Sequence, residues 1–303
     1  MRLGLIGMLA VVLAGGCSQA DATTEAPSPT QTPSQAATHQ RGDGAPYEVL
    51  GSQVWTVPDP VSGRDYQVFV QLPPSYGQAP NRRYPTLYVT DADYAFPIIR
   101  QIGRRINLDD PRAEEFILVG LSYAIGEDGS VSRTRDYTAT AVRGGGGGPA
   151  YQTYLKTQVL PFIEDRFRAD PARRVLLGHS YGGLLSAQIL FTEPELFSGY
   201  ILGSPSLWHG NSAIFAAEAA YARSHTDLPA RVYMYIGQHE TPGSGRGNTR
   251  YDMVGDNARF ERLLKSRNYP GLTIRNETLS DEDHLTVAPR GFTHGLLELL
   301  PAR

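Results

Sequence analysis

The chain has 303 residues, 41% hydrophobic and 19% charged, with 28 basic and 31 acidic side chains and a formal net charge of −3. That apolar content supports one sizeable core and excludes a chain disordered throughout, which needs few apolar residues and a large charge imbalance. The charge balance also excludes a nucleic-acid binder, because no basic surplus is available to meet phosphates.

In chain order, Met1-Arg2 supplies one positive charge, Leu3 to Leu13 is an unbroken apolar or small-residue run, and Ala14-Gly15-Gly16 precedes Cys17. The run is shorter than the roughly 20 residues a spanning helix needs. Residues 1–17 read as an export signal. Cys17 is the only cysteine, which excludes an intrachain disulfide. Its position resembles a bacterial lipobox, where the thiol carries lipid; the alternative is plain signal cleavage nearby. The expectation is an exported protein, periplasmic or anchored as a lipoprotein, touching the membrane only through that N-terminal lipid. Ser18 to Ala45 holds no Leu, Ile, Val, Met or aromatic residue. Such a segment buries too little apolar surface to offset its ordering entropy, and it reads as a flexible tether. Residues 46–303 are left as one folded domain.

Tyr47 to Pro58 and Asp65 to Leu72 carry β-branched and aromatic residues on either side of the turn Asp59 to Gly63, and predict an antiparallel pair. Thr86 to Thr90 predicts a buried strand, Ala95 to Arg105 a helix, and the apolar run Phe116 to Ser122 a strand covered on both faces. Gly126 to Pro149 reads as a long functional or mobile loop, with five consecutive glycines at Gly144 to Gly148. Ala150 to Phe167 predicts a helix bent at Pro161. Then follow strand Val175 to Leu177, helix Gly183 to Phe191, strands Tyr200 to Leu202 and Val232 to Ile236, helix Asn257 to Ser266, strand Leu272 to Leu279 and helix Gly291 to Leu300. The alternation predicts an α/β fold: a mostly parallel central sheet with an antiparallel N-terminal edge and helices on both faces.

Gly178-His179-Ser180-Tyr181-Gly182-Gly183 fits G-x-S-x-G between a buried strand and a helix. A nucleophile on such a sharp turn needs glycine two residues before and after it, where the chain crowds itself. The turn lifts the Ser180 hydroxyl above the sheet edge and sets the positive end of the helix beneath a developing anion. Serine alone is a poor nucleophile, so a base and an orienting acid must follow it, in the chain order Ser, acid, His. Glu240 follows the strand ending at Ile236, and His284 follows the strand ending at Leu279. Asp252 and Asp256 are alternative acids, and His239 is the rival histidine. No H-E-x-x-H or Cys/His spacing supports a metal at His239, Glu240 and His284, so neither metal nor organic cofactor is expected. An oxyanion needs two backbone donors: the Tyr181 amide, and the amide of Asp91 or Ala92 in the turn after the early strand. An Asx turn there is the alternative.

With these residues in hand, the chain resembles the "putative esterase" branch of the α/β-hydrolases, and within it most closely the siderophore-esterase group (enterobactin, salmochelin and bacillibactin types). The resemblance covers roughly Tyr47 to Leu300. It rests on Tyr84 to Asp91, Arg135-Asp136-Tyr137-Thr138, Gly178 to Leu184, Ser204-Pro205-Ser206-Leu207-Trp208 and Asp283-His284. It implies an α/β-hydrolase fold and hydrolysis of a small-molecule ester through an acyl-enzyme on Ser180. It also implies that Trp208 and Arg135 border the substrate pocket, as an aromatic wall and a cation for an anionic substrate. The alternatives are core packing for Trp208 and an ion pair with Asp136 or another carboxylate for Arg135. An acyltransferase, or a non-catalytic siderophore- or polysaccharide-binding protein, is the competing reading of the whole chain.

Overall fold

The computed structural model describes residues 44, 46–247 and 250–303. The expected export signal, Cys17 and, apart from Gly44, the tether at 18–45 lie outside the described residues.

The domain opens with a hairpin of β1 (Ser52–Asp59) and β2 (Arg64–Gln71). The Asp59 carboxylate closes its turn by accepting from the Val61 amide at 3.0 Å. Then follow β3 (Tyr84–Thr90), α1 (Ala92–Ile106), β4 (Ile117–Ala124) and α2 (Gly129–Tyr137). A long interrupted helix comes next: α3 (Gly148–Tyr154), a π-helical turn at Leu155–Val159 and α4 (Leu160–Arg166). The rest alternates regularly: β5 (Ala169–His179), α5 (Tyr181–Thr192), β6 (Gly199–Gly203), α6 (His209–Ser224), β7 (Arg231–Gly237), α7 (Met253–Ser266), β8 (Thr273–Leu279) and α8 (Ala288–Leu299).

The eight strands form one sheet in the order β1-β2-β4-β3-β5-β6-β7-β8. β2 pairs antiparallel with both β1 and β4, and every other pairing is parallel. Successive strand residues point to opposite faces, so each central strand feeds two cores. Tyr88 and Leu176 join Leu184, Leu185 and Phe260 on one side. Their neighbours Leu87 and Leu177 join Ile99, Phe292 and Leu296 on the other. The fold class is the one the alternation of elements predicts, and the parallel strands deliver their C-terminal ends to a common rim.

Three local expectations need correction. The segment 126–149 is not one long loop, because α2 occupies its middle. The α2 sequence GSVSRTRDY has no apolar stripe to announce a helix. Its start is set by Asp128, whose carboxylate accepts from the Ser130 and Val131 amides at 2.9 and 3.2 Å. After Gly144 the glycine run is close-packed: a Cβ at Gly145 would lie 2.1 Å from Thr138 Oγ1. The expected single helix is interrupted by the π-turn Leu155–Val159, and Pro161 falls in the first turn of α4, where its missing N–H costs least. α6 follows β6 in a stretch for which no helix was expected.

Candidate active site

Ser180 joins β5 to α5 with φ 60° and ψ −117°, a conformation that strains any residue with a side chain. The turn is as crowded as its sequence requires. A Cβ at Gly178 would lie 2.1 Å from the Gly182 carbonyl oxygen, and one at Gly182 would lie 2.1 Å from Thr90 Oγ1. The Ser180 amide donates to Gly203 O at 2.9 Å, which ties the turn to β6. The Ser180 hydroxyl is 3.4 Å from Ser206 Oγ.

Glu240 and His284 come together from the two post-strand loops. His284 Nδ1 donates to Glu240 Oε2 at 2.7 Å. Glu240 is 2% exposed. Its other oxygen, Oε1, accepts from Ser204 Oγ at 2.6 Å and from the Gly237 amide at 2.8 Å. Both carboxylate oxygens therefore accept hydrogen bonds. The Asp283 carboxylate shapes the loop bearing His284, accepting from the Leu285 and Thr286 amides at 2.9 and 3.2 Å.

The rivals are occupied elsewhere. Asp252 caps α7 through the Gly255 amide at 2.9 Å and accepts from Thr241 Oγ1 at 2.8 Å. Asp256 sits in the first turn of α7, with its carboxyl pushed up by burial. His239 Nε2 lies 3.6 Å from Asp281. Among the described residues, no group of three or more His, Cys, Asp or Glu is arranged to hold a metal ion, and no helix is long and apolar enough to cross a membrane.

His179, within the G-x-S-x-G turn, also belongs to the site. Its Nε2 donates to the backbone carbonyl of His284 at 3.0 Å, and the two rings lie 4.7 Å apart. Burial, with the His284 ring beside it, pushes the His179 imidazole well below its ordinary range. A neutral ring that donates through Nε2 must accept through Nδ1, where Tyr235 Oη lies at 3.2 Å. A histidine within a G-x-S-x-G turn carries no periodic signal. Only the return of the β8–α8 loop over it reveals the contact.

Ser180, His179 and His284 line one cavity of about 410 Å³, together with Asp91, Tyr94, Tyr123 and Arg133. Ser180 and His284 share this cavity, and no hydrogen bond joins them directly. Asp91, at the head of α1, has a left-handed backbone (φ 54°), and its amide reaches Tyr137 Oη at a long 3.3 Å. Ala92 is fully buried and does not line the cavity, which favours Asp91 of the two expected donors. The Tyr181 amide opens α5 and has no carbonyl one turn back to bond.

Arg135 does not border this cavity. It bonds Asp136 at 2.8 Å through two nitrogens and also pairs with Glu127. The cation at the cavity is Arg133, clamped to the Asp91 carboxylate at 2.8 and 3.1 Å and lying 5.2 Å above the Tyr181 ring. The reason is geometric: two residues along a helix turn by roughly 200°, so 133 and 135 face opposite ways. Trp208 is neither core nor cavity lining. It is half-buried and stacks face to face on Tyr251, with centroids 3.8 Å apart, and it lies 6.3 Å from the Tyr181 ring.

A parallel-centred sheet with a strained serine at a strand-to-helix turn, and a buried acid–histidine pair on later strand ends, is the architecture of an α/β hydrolase. The family model described as "Putative esterase" matches residues 60–273, and the chain belongs to that family of ester hydrolases. It is 27% identical over 271 residues to the ferri-bacillibactin esterase BesA of Bacillus subtilis, covering 82% of this chain and 89% of that protein. It is 29% identical over 168 residues to the siderophore triacetylfusarinine C esterase of Aspergillus fumigatus, covering 52% of this chain and 58% of that one. Its fold is shared with the BES protein of Bacillus cereus, with a TM-score of 0.72 at 24% identity over 86% of this chain and 99% of that one.

Proposed function

We propose that the protein is a serine esterase that cleaves carboxylic esters of an anionic, siderophore-type small molecule through an acyl-enzyme. The observation carrying this is the buried 2.7 Å His284–Glu240 bond, with His284 and Ser180 lining the same cavity. Glu240 holds the proton on Nδ1, so Nε2 keeps its lone pair and takes the Ser180 proton as Oγ attacks the ester carbonyl. The oxyanion then accepts from the Tyr181 amide, and from the Asp91 amide as it leaves its long bond to Tyr137. One such donor is worth about 3–4 kcal/mol of barrier. His284 next protonates the leaving alcohol, and water resolves the acyl-enzyme by the reverse path.

Arg133 at the cavity wall supports an anionic substrate, and the similarity to the bacillibactin and triacetylfusarinine C esterases supports a siderophore ester. A volume of about 410 Å³ suits one aryl or acyl arm rather than a whole multi-armed chelate. Residues 1–17, read as an export signal, suit an enzyme that meets its substrate outside the cytoplasm. The test is a panel of linear catecholate esters, feruloyl esters and short-chain p-nitrophenyl esters. The wild type should prefer the catecholate esters, and Ser180→Ala should lose at least 10³-fold in kcat on all of them. Full turnover by Ser180→Ala would end the proposal.

A further inference from the structure

A second concavity lies at the other end of the sheet from Ser180. A groove of about 820 Å³ runs along the C-terminal half of α1, beside the starts of β3 and β4. The seven residues of β3 separate it from the Ser180 rim, a span of roughly 20 Å. Its floor is apolar, with Leu72, Ile99, Phe116 and Leu118, and Leu108 stands 63% exposed at its side.

Arg100 lines this groove and is only 9% exposed. Burying a guanidinium ordinarily requires a carboxylate beside it, and Arg100 has none among the described residues. Its Nη2 donates to Leu50 O at 2.7 Å and its Nε to Gln71 Oε1 at a long 3.4 Å, both neutral groups. Nη1 has no acceptor among the described residues. A second cation, Arg104, also lines the groove and acts on Arg100, opposed by the Tyr47 hydroxyl. Burial and that neighbour both push against the charge on Arg100. The two side-chain carboxylates of the groove are held by other arginines. Glu114 is held by Arg173 at 2.9 Å, and Glu115 by Arg82 at 3.2 Å. Tethering Leu50 explains one of the five N–H groups of Arg100 and leaves the missing counter-charge unexplained.

We propose that this groove is a second binding site, for a small amphiphilic carboxylate whose apolar body lies along Leu108, Phe116 and Leu118 and whose head pairs with Arg100 and Arg104. The volume falls within the range of small-molecule sites. An anion there supplies the missing counter-charge and acceptors in one step, and the site is independent of the chemistry at Ser180.

Isothermal titration of the full chain with decanoate, decan-1-ol and acetate tests this. Decanoate binds with one-to-one stoichiometry. The neutral alcohol, which keeps the body and lacks the charge, binds at least tenfold more weakly, and acetate, which keeps the charge and lacks the body, does not bind. Arg100→Gln weakens decanoate roughly ten- to hundred-fold, the usual worth of a charge-assisted bond, while Ser180→Ala leaves it unchanged. Gly103→Phe gives an independent check, since even a Cβ there would sit 3.3 Å from the Phe116 ring. A phenyl group fills the groove and abolishes decanoate binding without touching the arginines. No decanoate binding, equal binding of the alcohol, or decanoate binding undiminished in Arg100→Gln or in Gly103→Phe overturns the proposal.

Discussion

Glu240→Gln separates the roles of the buried acid most sharply. The native carboxylate accepts three bonds, from His284 Nδ1 at 2.7 Å, Ser204 Oγ at 2.6 Å and the Gly237 amide at 2.8 Å. A glutamine has one accepting oxygen and one donating nitrogen at its end. The Gly237 amide can only donate, so the glutamine oxygen must face it, and the amide nitrogen then faces His284. There it forces the imidazole to accept at Nδ1 and to carry its proton on Nε2, the wrong tautomer for a base. The expected result is a fall in kcat of about 10³–10⁴-fold, or about 4–5.5 kcal/mol of barrier. The fold keeps two of the three bonds, so stability falls by only about 1–2 kcal/mol. The assay pairs kcat on a p-nitrophenyl ester with the urea midpoint of the same preparation. Asp252→Asn, which keeps a capping side chain on α7, serves as the control and retains full activity. A Glu240→Gln enzyme with more than a tenth of wild-type kcat would refute the reasoning.

Four further outcomes follow from the same geometry. His179 acts as a positioning residue through the His284 carbonyl, so His179→Phe lowers kcat about 10–100-fold with little change in KM, and His179→Gln, which keeps a donor, recovers part of the loss. The same ring governs acid stability. Below its ordinary value near 6.5 the unfolded His179 binds a proton that the folded one refuses, so wild-type stability is lost as pH falls, by up to about 1.4 kcal/mol per pH unit; a His179→Phe titration by urea melts should lack that component. Gly178→Ala drives a methyl group to 2.1 Å from the Gly182 carbonyl and costs about 3 kcal/mol or more together with most of the activity, read from the urea midpoint and the esterase rate. Arg135→Ala strands the buried Asp136 carboxylate and destabilises the domain by about 3 kcal/mol without changing the preference for anionic over neutral esters, whereas Arg133→Ala lowers that preference about tenfold in kcat/KM.

The parts of the fold legible in the sequence were those carried by periodicity. β4 and β5 announce themselves as apolar runs because the sheet is covered on both faces, and α5 follows its glycine turn directly. Helix α2 escaped because it is held by a cap and by ion pairs rather than by an apolar stripe, and without it the opposite facing of Arg133 and Arg135 could not be foreseen. Ser180, Glu240 and His284 were readable because parallel strands must all end at one rim, which converts chain order into proximity. The support beneath them was not. His179, Ser204 and Tyr235 act through contacts between loops and strands that are distant in sequence, and nothing in their local context marks them. Arg100 was equally silent, since its burial against neutral acceptors exists only once the chain is folded.

The most direct measurement is the site of covalent attachment of a fluorophosphonate probe, mapped by peptide mass spectrometry on the wild type and on His284→Ala. The adduct should fall on the peptide containing Ser180, at a single residue, with its rate of formation reduced by at least 10²-fold in His284→Ala. An unlabelled protein, a label on another residue, or labelling that proceeds equally well without the imidazole would contradict the account.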